Sequence, residues 1–366
     1  MSKEKQLVVA SAYFASDDVI YAVRHDNATT GERIDRVPVA DSVPDEEKMD
    51  ADLRSAALGI NSLLGEHEKI RAVVLICPGP FRTIDKRSHL YGEIGWNAEV
   101  RYWREKNAIT MFRKHLINEL GDEAKDVEIY IHNQAGATAV GEYLHAYGDL
   151  IRRSDSRGIL HKQLGNHLYV VADYTIDAAL IVEGEPFHGL STMNVGHHAV
   201  IPVDEDDETL ERLKNSTHPE RPCLNSLASL DAIKKRWPGM HSEKFSACTD
   251  TSKVSRIAFY IAQMLANVIL SVSPAKIVIG GRIKDNPRII SMIRQHIDYL
   301  LRDQENPEIY PGYPQINDLN SFIVEQDDRD SGVKGGLHVL ARTLVKEHDE
   351  SNIASFEAYK KGLYPL

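Results

Sequence analysis

The chain has 366 residues, room for two ordinary domains with a core each, and its 42% hydrophobic and 27% charged residues mark a soluble globular composition. A net charge of −11, spread along the chain with no Lys/Arg-rich stripe, argues against nucleic acid or an anionic membrane surface as partner. Three scattered cysteines, Cys77, Cys223 and Cys248, are too few for a disulfide framework and fit reduced thiols in a cytoplasmic protein.

The charged start MSKEKQLVV runs directly into a strand-like stretch. It has neither a long apolar region nor a small-residue cleavage site, so no signal peptide is expected. No stretch approaches ~18 uninterrupted apolar residues, so no membrane span is expected either. Residues 7–14 and 18–23 read as two strands around the polar turn Ser16-Asp17-Asp18. Residues 50–66 carry Leu53, Ala56, Ala57, Ile60, Leu63 and Leu64 at helical spacing. The run 71–77 is a buried strand stopped by Pro78-Gly79-Pro80, and a helix at 107–119 leads to a strand at 127–132. Strand, helix, strand, helix predicts a parallel or mixed sheet covered by helices.

The second half repeats the theme. Residues 167–172 and 177–183 predict a hairpin pair, and 199–222 a polar surface excursion. A long amphipathic helix over 252–272 precedes a buried strand at 275–279, which ends on Gly280-Gly281. Helices follow at 286–303 and 333–347, separated by a loop-rich section. The coarse layouts of the two halves match, a sign of duplication.

Four groups of residues invite a chemical reading. Gly280-Gly281-Arg282 sits between a strand and a helix, where a backbone can approach an anionic ligand; a plain strand-to-helix turn is the simpler account. Gly332, Gly335 and Gly336 open the last helix with the same ambiguity. His197, His198, His218 and Cys223 are zinc-type donors, but they lack a C-x-x-C pair, and spacing alone favours scattered histidines and a buried thiol. The segment HNQAGATAVGE (132–142) places small residues at a helix start, which permits close packing or close ligand approach.

Taken together, these segments resemble the ROK family of bacterial sugar kinases and repressors, nearest its fructokinase-like branch. The resemblance runs from about residue 70 to 345. HGLSTMNVGHHAV and PCLNSLASLDAIKKRW, within 188–237, are similar to the family's Gly-His and Cys-Leu-Glu segments. HNQAGATAVGE stands at the family's Asp-containing helix start, SPAKIVIGGRI and SGVKGGLHVLA at its late glycine elements, and PGPFRTID at its early Gly-Pro region. The resemblance implies a two-domain α/β fold of the actin-like ATPase, or ribonuclease H-like, type with a cleft between domains. We expect an N-terminal α/β domain over 1–132, with the tail 345–366 packing back on it, and a C-terminal α/β domain over 133–344.

The same resemblance assigns roles, and the departures fall on them. The family's general base corresponds to Gln134, and an amide does not accept a proton at neutral pH. Its acidic sugar contacts correspond to Asn194 and Asn225, while His197 is kept. Gly280, Gly281, Gly335 and Gly336 match the elements that close on nucleotide. The first phosphate hairpin, however, reads ASAYFAS (10–16), without glycine and with bulky Tyr13 and Phe14. The second reads ADYTIDAAL (172–180), where Asp173 and Asp177 repel a triphosphate. Zinc would fall to His197, His218 and Cys223, with the remaining slot at Thr217 or Glu220. ATP, magnesium and zinc belong to the family pattern, but with these motifs altered the chain is expected to carry no cofactor.

These departures imply a pseudokinase-like member that binds a sugar, a related polar ligand or a protein partner without phosphorylating it. The first alternative is an active ATP-dependent hexose kinase with a non-standard base, for which His132 and Asp173 are candidates. The second is a structural protein whose nucleotide site is plugged by Tyr13, Phe14 and Tyr174. Family habit implies a homodimer. The chain starts directly on the first strand, without the helix-turn-helix of the family's repressors, so direct DNA binding is not expected.

Overall fold

The computed structural model describes residues 5–349 apart from 16, 27, 29–30, 40–42, 84, 97, 99, 154–156, 188–192, 204–212, 214–220 and 303–313. The chain divides into two compact units, Met1–Leu160 with Asp328–Leu366, and His161–Asp327.

The first unit is built on five strands, β1 (Gln6–Phe14), β2 (Asp18–His25), β3 (Arg33–Pro38), β4 (Glu68–Cys77) and β5 (Glu128–Asn133), in the order β3-β2-β1-β4-β5. The first three strands pair antiparallel, and β4 and β5 join in parallel. Both faces of the central strands are covered, which is why β1, β2 and β4 read as almost continuous apolar runs. Val8, Ala10, Ala12 and Phe14 of β1 enter a core with helices α1 (Asp45–Ser62) and α2 (Ala108–Leu120). On the opposite face Val9 meets residues of α3 (Gln134–Arg153) and of the chain's last helix, α11 (Ser331–Asp349). A short helix, α4 (Arg157–Leu164), carries the chain into the second unit.

The second sheet repeats the first strand for strand. Its members are β6 (His167–Ala172), β7 (Ile176–Val182), β8 (Glu185–Pro186), β9 (Lys276–Gly280) and β10 (Ile323–Glu325), in the order β10-β9-β6-β7-β8. Again three antiparallel strands are extended by two parallel ones. The core gathers around α8 (Thr251–Val272), flanked by the short α5 (Leu224–Ala228), α6 (Leu230–Arg236) and α7 (Ser242–Ser246) and by α9 (Ile289–Leu301); a last short turn, α10 (Leu319–Phe322), leads into β10. Asp250 starts α8 by accepting hydrogen bonds from the Ser252 and Lys253 amides, and Ser273 ends it in the left-handed region. By length and composition α8 passes for a membrane span, yet 61% of its apolar window is buried inside this unit.

The expected boundary at 132/133 is corrected. Helices α3 and α11, expected within the C-terminal domain, both belong to the first unit. The reason is the apolar stripe of α11: Val333, Leu337, Leu340 and Leu344 share a core with Val9, Ile20, Val74 and Ala137. The tail 350–366 lies outside the described residues.

Candidate functional site

In the first unit the candidate base position opens α3. Gln134 directly follows β5, and its side-chain amide Nε2 donates a hydrogen bond to the Phe14 carbonyl at the end of β1. Asn133 caps the same helix start, its Oδ1 accepting from the Gly136 amide at 3.0 Å. The His132 imidazole donates from Nδ1 to the Asn133 carbonyl at 3.0 Å, and its ring lies against Gly136. Phe14 is buried, its ring packed edge-on to Trp103 with the centroids 5.0 Å apart. The Tyr13 ring lies on Gly332, where an added Cβ would sit 2.3 Å from it. Both aromatic side chains of the hairpin are thus packing elements of their own unit.

The small residues of 132–142 have a structural cause. A Cβ at Gly335 of α11 would stand 1.8 Å from the Ala137 carbonyl oxygen of α3, and one at Gly141 of α3 2.0 Å from the Ser331 carbonyl oxygen. The two helices cross backbone on backbone. Buried Ser331 adds a hydrogen bond from its hydroxyl to the Glu142 carboxylate. Gly336 likewise leaves room for Ser11 Oγ and the Ile76 side chain.

In the second unit three of the sequence-selected residues come together. Asn194 precedes the 3-10 turn Val195–His197, and Gly196 of that turn presses on the Asn225 side-chain amide, 2.3 Å from a Cβ added there. Asn225 is buried in the first turn of α5, and its Oδ1 accepts from the Ile176 amide at 2.6 Å. Asn225 therefore anchors the start of β7. Asn194 is exposed and His197 half-buried, so both side chains reach solvent, as does the adjoining His198. Cys223 is buried at the N-cap of α5, on the segment that bridges to Ala199.

Among the described residues no three His, Cys, Asp or Glu side chains gather as a metal cluster. A structural zinc ion needs four donors, and of the expected set His197 and Cys223 lie among the described residues. His218, Thr217 and Glu220 lie outside the described residues.

Gly280 and Gly281 close β9. A Cβ on Gly280 would meet the Tyr169 hydroxyl and Gln326 Oε1 at 2.2 and 2.1 Å, a pair that is itself hydrogen-bonded at 2.9 Å. Gly281, at φ +83°, brings the backbone onto the Ala172 carbonyl oxygen, 2.3 Å from a Cβ added there. This approach sets up the feature that sequence reasoning missed. Asp173, in the β6–β7 turn, is gripped by Arg282: Nη2 reaches Oδ1 at 2.6 Å, Nε reaches both oxygens at 3.1 Å, and the Arg282 amide reaches Oδ2 at 3.1 Å. The Arg282 guanidinium also stacks over the Tyr174 ring at 4.3 Å. No sequence signal links residues 109 positions apart; only the sheet register, which sets Val171 beside Gly280, brings them together.

Asp177, the other acid of this loop, has its carboxyl pKa pushed up to about 7 by burial, against the opposing hydrogen bond from the Ala178 amide. The first altered hairpin carries packed aromatic side chains, and in the second the Asp173 carboxylate is held by Arg282.

Two five-stranded mixed sheets of identical strand order, each carrying helices, define the actin-like α/β fold of sugar kinases. A ROK-family glucokinase from Streptomyces griseus, solved with glucose and AMPPNP, superposes with a TM-score of 0.60 at 15% identity, covering 92% of this chain and 99% of that one. A ROK-family transcriptional regulator, a homologue of the E. coli MLC protein, superposes with a TM-score of 0.61 at 15% identity, covering 93% of this chain and 79% of that one. In sequence, a fructokinase of Zymomonas mobilis is 28% identical over 260 residues, 70% of this chain and 73% of its own length. Residues 60–323 match the ROK family, and the chain belongs to it.

Proposed function

We propose that this ROK-family protein binds a hexose-like sugar and does not phosphorylate it. The observation that carries this reading is Gln134. It stands where the family's general base is expected, it cannot take a proton from a sugar hydroxyl, and its amide is already committed to the Phe14 carbonyl. Phosphoryl transfer depends on positioning and on charge stabilisation around the transferred group. The hairpin that would supply the positioning carries buried Phe14 and packed Tyr13 in place of glycines. The sugar contacts we assign are Asn194 and His197, whose side chains reach solvent at the 194–197 corner; Asn225 supports that corner from beneath.

The competing reading is an active hexose kinase, and His132 is the feature that favours it. It places an imidazole, the side chain best matched to proton transfer near neutral pH, two residues before Gln134. One pair of measurements decides. ADP release is followed with ATP, magnesium and fructose, glucose or mannose, and the melting temperature is followed with the same sugars alone. We expect no turnover above background and a saturable rise in melting temperature with at least one sugar. Turnover at about 1–100 s⁻¹, the ordinary range for kinases, would overturn the proposal.

A further inference from the structure

Of the chain's three tryptophans, Trp96 is set apart by its exposure. Trp103 is 1% exposed and Trp237 packs against the core of the second unit, whereas 61% of Trp96 faces solvent. Burial of large apolar side chains drives folding, so an indole left in water needs a cause. A loose chain is not that cause. Ile94 and Ala98, two residues to either side, are fully buried in the core of the first unit. The Ala98 amide donates to the Gly95 carbonyl at 3.1 Å, and the Gly95 amide to the Pro80 carbonyl at 2.7 Å. Ile94 pairs with Phe81, its amide donates to the Lys106 carbonyl, and its carbonyl accepts from the Glu105 amide, both at 3.0 Å. The backbone on both sides of Trp96 is thus anchored, and the indole is held out from it. The anchor also gives the place. Pro80 follows closely on Cys77, the last residue of β4, and Cys77 pairs with Asn133, the last residue of β5. The turn is therefore tied to the carboxyl ends of two parallel strands, the edge at which α/β sheets take their ligands.

We infer that Trp96 is a stacking platform for the ligand, and that its indole takes the C–H face of a pyranose ring whose hydroxyls are equatorial, as in glucose. The inference rests on the sugar-binding reading above and adds to it a specificity-determining residue in the first unit. Such a ring carries its hydroxyls around the rim and C–H groups on its faces. An indole covers the apolar face without stripping any hydroxyl of a hydrogen-bond partner, so the desolvation cost of a polar ligand is avoided on that side. The negative face of the indole attracts the polarised C–H groups, and its rigid ring has little conformational freedom to lose on binding. An axial hydroxyl on the stacked face would stand between the two rings. The platform therefore favours the flat, all-equatorial hexose.

The test titrates the full chain with D-glucose, D-fructose, D-mannose and adenosine, for the wild type, Trp96→Ala and Trp96→Phe. Tryptophan emission, acrylamide quenching and melting temperature are read together. We expect glucose to shift the wild-type emission to the blue and to shield it from acrylamide, saturating over the same concentrations as the rise in melting temperature. Trp96→Ala should lose the emission change and bind glucose about tenfold more weakly, while Trp96→Phe, which keeps an aromatic face, should lose about threefold at most. Circular dichroism melts establish that each variant is folded. If Trp96→Ala does not fold, acrylamide shielding in the wild type and its loss in Trp96→Phe decide. Glucose affinity unchanged in folded Trp96→Ala would overturn the inference. So would a rise in melting temperature with unchanged emission, a response to fructose or mannose without one to glucose, or an emission change with adenosine and none with glucose. Each of those results involving a sugar-induced melting shift leaves the sugar-binding reading standing. A wild type that responds to none of the three sugars in either readout overturns both.

Discussion

Gln134 Nε2 donates to the Phe14 carbonyl, tying the first residue of α3 to the last residue of β1. Restoring a carboxylate here with Gln134→Asp removes a donor and sets a negative oxygen against a carbonyl oxygen. A buried acceptor left unpaired costs about 1–3 kcal/mol, so the variant should unfold at lower urea than the wild type by that amount. It should also remain without turnover, because the Tyr13-Phe14 hairpin and the Asp173–Arg282 pair are unchanged. A variant that is as stable as the wild type and releases ADP with hexose would show that the base alone had been missing.

Much of this arrangement is legible in the sequence, and the parts that are not have a common cause. The apolar runs at 71–77 and 127–132 announce β4 and β5 because buried parallel strands need apolar residues on both faces. The amphipathic run at 252–272 announces α8. By contrast β3 (Arg33–Pro38) lies at a sheet edge and is mostly exposed, so its residues RIDRVP carry no apolar alternation. The domain boundary is not legible, because α11 reads as an amphipathic helix whichever sheet it covers. In the site, the amide at Gln134 is visible as a residue type. The commitment of Asn225 to the Ile176 amide and of Asp173 to Arg282 is not, because each joins segments whose proximity only the folded sheets create.

Asn225 and His197 should separate stability from binding. Asn225→Ala leaves the buried Ile176 amide without its acceptor, and should lower unfolding free energy by about 1–3 kcal/mol. His197→Ala touches a half-buried side chain on a short turn. It should change stability by less than about 1 kcal/mol while abolishing any sugar-induced rise in melting temperature. Denaturant titration with and without sugar checks both. A full sugar response in folded His197→Ala would remove that residue from the binding site.

The crossing of α3 and α11 should tolerate no side chain at Gly335. A Cβ there meets the Ala137 carbonyl oxygen at 1.8 Å and the Gly141 amide nitrogen at 2.8 Å, both backbone atoms that cannot rotate away. Gly335→Ala should therefore destabilise the first unit by roughly 3 kcal/mol, the upper part of the range for overpacking. Gly65→Ala is the control. Its Cβ would meet only the flexible Glu68 side chain, at 3.4 Å, and should leave stability nearly unchanged. Equal unfolding midpoints for the two variants would contradict the close helix crossing.

Two titratable groups on neighbouring strands give the second unit opposing responses to pH. Burial lowers the His167 pKa to about 4, against a raising contribution from its hydrogen bond to the Leu164 carbonyl, while burial pushes Asp177 up to about 7. For His167 the folded state disfavours the proton, so stability falls as pH drops from about 6.5 to 4; the shift of roughly 2.5 pH units corresponds to about 3 kcal/mol. For Asp177 the folded state favours the proton, so stability falls as pH rises from about 4 to 7. The two slopes share one window and offset each other in the wild type. Removing one exposes the other. Asp177→Asn should lose stability steeply on acidification below pH 6.5, whereas His167→Gln should gain stability over the same range. Urea unfolding at pH 4.5, 5.5, 6.5 and 7.5 reads both slopes, and parallel profiles for the two variants would show that neither group titrates as its burial requires.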